Sequence, residues 1–107
     1  MTEPRTYCVI LTTCPSHEEA DKIATLLIRE HAAACVQVTE IVSYYEWKQS
    51  VNTDAEQLLF IKAGTDQYER IEQLIRQNHS YEVPEIVQIP IIKGSKDYLN
   101  WIDEVSG

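Results

Sequence analysis

The sequence predicts an α+β sandwich with the element order β-α-β-β-α-β and a short helix at its C-terminal end. Three observations predict it. The 107 residues suit one compact domain spanning residues 1–107. Two similar β-α-β halves follow one another along the chain. Three of the four strand segments carry apolar side chains on both faces, as strands covered on both sides do.

Thr6-Tyr7-Cys8-Val9-Ile10-Leu11-Thr12-Thr13 is β-branched and aromatic on both faces and reads as strand one. Ser16 and Glu19 stand at capping-box spacing behind Pro15, with acids in the first turn where the helix dipole favours them. Helix one therefore starts there. Its apolar stripe is Ala20, Ile23, Ala24, Leu27 and Ile28, ending near His31. Residues 34–49 alternate as an extended chain, longer than the usual ~5–6 residues of a strand. This predicts a bent strand that projects beyond the sheet before turning over residues 49–53. Strand three follows over residues 55–63, with Leu59, Ile61 and Ala63 on one face and Glu56, Leu58, Phe60 and Lys62 on the other. Asp66 and Glu69 repeat the capping spacing ahead of a second stripe, Tyr68, Ile71, Leu74 and Ile75, which Asn78-His79-Ser80 ends. Residues 83–92 form the last strand, where Pro90 lacks an N–H and favours an edge. Ser95 caps the closing helix, which carries Tyr98, Leu99, Trp101 and Ile102.

With right-handed crossovers this order is a ferredoxin-like βαββαβ sandwich; a doubly wound parallel sheet needs more alternating units. Two helices cover only one face of the sheet, while strands one, three and four are apolar on both. Exposed apolar patches of that size mark interaction surfaces, so a homo-oligomer that buries the helix-free faces is expected.

Hydrophobic residues make up 44% and charged residues 24%, the composition of an ordinary folded domain. Seventeen acidic against nine basic side chains give a net charge of −8, which disfavours nucleic acid and anionic lipid and favours cations. No run approaches the ~18 apolar residues of a membrane span, and Met1-Thr2-Glu3-Pro4-Arg5 lacks the order of a signal peptide. Cys8, Cys14 and Cys35 are odd in number and irregularly spaced, against a disulfide framework and in keeping with a reducing compartment. A cytoplasmic protein is the expectation. An enzyme is not expected, because no phosphate loop, His-Glu-x-x-His or Gly-x-Ser-x-Gly occurs.

Two side chains stand out as metal ligands. The neutral imidazole of His79 suits copper, zinc and nickel, while its plainer role is a surface histidine at a helix C-terminus. Cys14 precedes a helix N-terminus, where the dipole lowers a thiol pKa and makes thiolate available; its plainer role is a loop cysteine. Cys8 and Cys35 read as core, and His17 and His31 as exposed ends of helix one. The spacing resembles no zinc finger, so the ligands must converge from separate loops or subunits.

Several words decide more than periodicity: Ala32-Ala33-Ala34-Cys35-Val36, Ser43-x-Tyr45-x-Trp47, Glu56 and Lys62, His79-Ser80-Tyr81-Glu82-Val83-Pro84-Glu85-Ile86, and Tyr98-Leu99-x-Trp101. In this order they closely resemble the CutA divalent-cation tolerance family over nearly the whole chain. The resemblance implies a cytoplasmic homotrimer of ferredoxin-like subunits linked to copper and other divalent cations. The chain departs from the family pattern at Ser80, where Pro usually follows the motif His, and at Lys48-Gln49, where Gly usually follows the motif Trp. The cysteine that some members carry at the end of strand one falls at Thr12, with Cys14 two residues further on. The expectation is a trimeric copper- or divalent-cation-binding protein of metal tolerance, with His79 and Cys14 as ligands. The alternative is a signalling or scaffold trimer whose inter-subunit cleft binds a small ligand or partner. The words of the match place Tyr45, Trp47, Glu56, Lys62, Tyr81, Glu82 and Glu85 in that cleft, and a Glu56–Lys62 pair that fixes subunit register is the plainer reading.

Overall fold

β-Branched and apolar segments pair through their backbones while two amphipathic helices fold back on them. A computed structural model describes residues 4–107 in this arrangement. The elements are β1 (Tyr7–Cys14), α1 (His17–Arg29), β2 (Cys35–Trp47), β3 (Ser50–Gly64), α2 (Tyr68–Asn78), β4 (Ile86–Ile91) and α3 (Lys96–Val105). One antiparallel sheet has the strand order β2-β3-β1-β4, the ferredoxin-like topology expected. Directly opposed residues share a face. Ile10 opposite Ile61 and Thr12 opposite Leu59 meet Ile23, Leu27, Ile71 and Ile75 of the helices in the buried core. Pro90 lies in β4, an edge strand, as its missing N–H requires.

Helix one starts as its sequence dictates: the Glu19 N–H donates to Ser16 Oγ at 3.2 Å. Helix two does not. A 3-10 turn over Thr65–Gln67 precedes it and no side chain caps it, because Arg5 claims the Asp66 carboxylate at 3.1 Å. β4 is shorter than residues 83–92, since its pairing with β1 begins only at Ile86 opposite Thr12. The expected turn over residues 49–53 is also corrected. Pairing continues to Trp47 opposite Ser50, leaving a two-residue loop of Lys48 and Gln49 with φ of +52° and +65°. This mirror-image turn matches the right-handed twist of the strands.

Only residues 57–64 of β3 pair with β1; residues 50–56 pair with residues 41–47 alone. The hairpin therefore projects as a two-stranded arm, and the molecule extends over 52 × 25 × 22 Å. The other face of the sheet carries Val9, Leu11 and Phe60 beside Val87 and Ile89, which stay 45% and 47% exposed. Here α3 amends the two-helix picture: Tyr98 lies beside Lys62 and so covers one end of this face. Asp103 anchors α3 by accepting from Arg5 at 2.6 Å and from the Tyr7 hydroxyl at 2.8 Å. No helix among the described residues is long and apolar enough to cross a membrane.

Candidate metal centre and adjoining cleft

Three elements bring one donor each to a single point. Cys14 is the last residue of β1, Glu19 lies in the first turn of α1, and His79 caps the C-terminus of α2. A ligand atom from each lies within 4.8 Å of the other two, the one such group among the described residues. Cys14 and the His79 side chain are fully buried, and the Glu19 side chain is 14% exposed. Because β1 runs to Cys14, this cysteine stands at the end of the strand.

Both imidazole nitrogens of His79 are engaged. The Tyr81 N–H donates to Nδ1 at 3.0 Å, which leaves the proton on Nε2, and Nε2–H donates to the Thr13 carbonyl at 2.6 Å. Glu19 Oε2 lies 3.4 Å from Nδ1, yet it is buried without a hydrogen-bond partner among the described residues. Such an atom is costly unless a proton or a cation serves it. Sequence reasoning missed Glu19 as a donor because its capping spacing explained it. Its N–H does cap, but its carboxylate turns toward His79 instead of closing the box.

The Cys14 thiol behaves opposite to expectation. Burial, then the carboxylates of Glu19 and Glu56, push its pKa up to about 12, overriding the helix dipole that would lower it. The thiol is thus protonated near neutrality, and a cation that takes its sulfur must displace that proton. Cys8 is buried core as expected, Cys35 is half-buried, and His17 and His31 are exposed.

A cavity of about 830 Å³ opens beside this cluster, between the root of the arm and the loop of residues 80–85. Tyr45, Trp47, Glu56, Tyr81, Glu82 and Glu85 all line it, so six of the seven side chains expected in a cleft between subunits lie together within one subunit. Lys62 does not. It shares a strand face with Glu56, but six residues of strand carry it roughly 20 Å away, and its Nζ sits 5.7 Å from the Tyr98 ring centroid. No Glu56–Lys62 pair forms within the subunit. Glu56 instead accepts from the Tyr81 hydroxyl at 2.8 Å. Asp54, which sequence reasoning missed although it lies two residues from Glu56, accepts from the Tyr45 hydroxyl. Burial first and Glu56 second raise the Tyr81 phenol pKa; the Asp54 bond first and burial second raise that of Tyr45.

The family described as CutA1 divalent ion tolerance protein matches residues 8–105. The chain belongs to this family. Among CutA relatives, the divalent-cation tolerance protein CutA of Thermus thermophilus is 40% identical over 100 residues, covering 92% of this chain and 97% of that one. The chloroplastic protein CutA of Arabidopsis thaliana is 39% identical over 95 residues, covering 88% of this chain but 52% of its own. This chain thus spans nearly all of the bacterial relative and about half of the plant one. The solved structure of the periplasmic divalent cation tolerance protein CutA from Archaeoglobus fulgidus superposes with a TM-score of 0.91 at 34% identity, covering 92% of this chain and 97% of that one. These two relatives correct the cytoplasmic expectation. One CutA protein is described as chloroplastic and another as periplasmic, so family membership supports no cytoplasmic placement. The family is named for divalent-ion tolerance and not for a reaction.

Proposed function

We propose that this CutA1 protein is a non-enzymatic homotrimer that binds a divalent cation, copper foremost, at Cys14, Glu19 and His79 and so contributes to metal-ion tolerance. The observation that carries the reading is the buried Glu19 Oε2, unpartnered 3.4 Å from His79 Nδ1, with the Cys14 sulfur in the same cluster. Sulfur, imidazole nitrogen and carboxylate oxygen together suit copper or zinc. Donors bound at ~2.0–2.3 Å sit roughly 3.5 Å apart around a tetrahedral ion; Glu19 Oε2 and His79 Nδ1 already stand at 3.4 Å, and all three donors lie within 4.8 Å of one another. Ligation through Nδ1 would keep the Nε2–H bond to Thr13, the kind of backbone contact that orients a ligating histidine.

The trimer has separate support. An isolated two-stranded hairpin is marginal in water, and the arm and the open face with Val87 and Ile89 both lack cover within the subunit. Light scattering at micromolar concentration tests it, with three times 12.3 kDa expected and a monomer excluding it. The metal site is tested by anaerobic calorimetry of the reduced, metal-free protein with Cu²⁺ and Zn²⁺. Saturable binding at a fixed ratio per subunit, lost in His79→Ala or Cys14→Ser with the assembly intact, is expected. Equal binding by wild type and both variants overturns it.

A further inference from the structure

Cys14 and the His79 side chain are fully buried, so a cation reaches their sulfur and nitrogen only where the protein leaves a way in. The large cavity is not that way. None of the three donors lines it. Tyr81, which does, packs its ring 4.9 Å from the His79 ring and fixes its hydroxyl on Glu56, which closes the wall on that side. A smaller cavity of about 300 Å³ lies between the start of α1 and the last turn of α2, lined by Ser16, Glu18, Glu19, Lys22 and Asn78. Glu19 belongs both to this wall and to the donor cluster. Its Oε2 is buried while the side chain as a whole is 14% exposed, so one carboxylate side chain meets solvent on the cavity side and His79 on the other.

Two of the remaining lining side chains are already committed. Ser16 Oγ accepts from the Glu19 N–H at 3.2 Å, and the Asn78 side-chain amide donates to the Leu74 carbonyl at 2.8 Å. Glu18 and Lys22 are exposed and form no ion pair among the described residues. The helix ends themselves offset one another, because the N-terminus of α1 repels a cation and the C-terminus of α2 draws one. Side-chain charge at the rim therefore decides. Lys22 stands three residues beyond Glu19 on α1, a spacing of about 5–6 Å between Cβ atoms. That is inside the Debye length of ~8 Å at physiological ionic strength, so its ammonium opposes a divalent cation approaching Glu19. We infer that a divalent cation enters the Cys14–Glu19–His79 centre through this mouth, with Glu19 as its first contact and Lys22, which is no ligand, setting the rate of entry. The inference rests on the metal centre proposed above.

The test is stopped-flow mixing of the reduced, metal-free protein in its assembled state with Zn²⁺, followed by the ultraviolet absorbance of the zinc–thiolate bond. Wild type is compared with three variants. Lys22→Glu alters the mouth. Lys93→Glu makes the same change of net charge two residues past Ile91, which pairs with Tyr7 at the end of β1 remote from Cys14. Glu82→Lys alters the wall of the large cavity. All three positions are exposed, so the fold should persist, checked by circular dichroism. Expected is association about fivefold faster in Lys22→Glu at low ionic strength, an advantage that fades near ~1 M salt, where the Debye length is about 3 Å. Lys93→Glu and Glu82→Lys should stay within about twofold of wild type. Equal rates in Lys22→Glu and wild type overturn the inference, and so does equal acceleration in Lys22→Glu and Lys93→Glu, which would make net charge the cause. Slower entry in Glu82→Lys with no change in Lys22→Glu would put the entrance at the large cavity and overturns it too. Absence of saturable Zn²⁺ uptake by wild type is a different result, which overturns the metal centre itself and this entrance with it.

Discussion

The backbone N–H of Tyr81 donates to His79 Nδ1 at 3.0 Å, and the two rings lie 4.9 Å apart, so one loop serves both the metal cluster and the cleft. Nδ1 is the nitrogen that faces Glu19. A cation bound there must displace the Tyr81 N–H, and Tyr81 also carries the hydroxyl that holds Glu56. Saturating Zn²⁺ is therefore expected to free the Tyr81 amide and speed its hydrogen exchange, read by mass spectrometry against the metal-free protein. Unchanged exchange at Tyr81 refutes the coupling.

Tyr81→Phe removes the hydroxyl donor and leaves Glu56, 8% exposed, without a partner. The cost of such an orphaned group is about 1–3 kcal/mol, read as a lower urea midpoint at fixed protomer concentration. The double variant Tyr81→Phe, Glu56→Leu should recover part of that loss, because it removes both partners. If the double variant is as unstable as the sum of the two single ones, the hydroxyl and carboxylate are not coupled.

The element order was legible because apolar periodicity is local: Leu59, Ile61 and Ala63 announce a core face, and all three are buried. Six residues that sit in two short stretches and at the root of the arm, named from the sequence for a cleft between subunits, line one cavity of the single subunit. Lys62 shows where such reading stops. Sharing a strand face with Glu56 says nothing of the distance along the strand, nor that Tyr98 of α3 waits at the far end. Asp66 and Glu19 fail in a related way. Each has a sufficient local role as a capping residue, and each side chain is drawn elsewhere by a residue distant in sequence, Arg5 in one case and His79 in the other. The Cys14 thiol was misjudged because the helix dipole is visible in sequence, whereas burial and two facing carboxylates are not.

The raised thiol has a pH signature. Cys14 moves from an ordinary value of 9.0 to about 12 in the folded chain, so the native state holds this proton more tightly than the unfolded one. The corresponding stability is complete below about pH 9 and is lost as pH rises toward 12. Tyrosines with raised pKa values add to the wild-type slope, so the difference between wild type and Cys14→Ala isolates the thiol. Urea midpoints of the two should converge as pH rises from 9 to 12. A gap that stays constant over that interval contradicts the buried thiol's role. Slow alkylation of Cys14 by iodoacetamide at pH 8, where free cysteine reacts readily, checks the same thing independently.

The arm's turn stores strain that one substitution relieves. Lys48 and Gln49 both hold left-handed backbone, with φ of +52° and +65°, where a side chain costs about 1–2 kcal/mol. Glycine removes that cost but adds roughly 0.5–1 kcal/mol of unfolded-state freedom. Gln49→Gly should therefore stabilise the protein by about 0.5–1 kcal/mol, seen as a higher urea midpoint at equal protomer concentration. Gln49→Val changes the sign, since a β-branched residue tolerates this conformation least. The pair of variants separates turn strain from any side-chain contact of Gln49. If contact dominated, both would destabilise, whereas strain requires glycine to lie above wild type and valine below it.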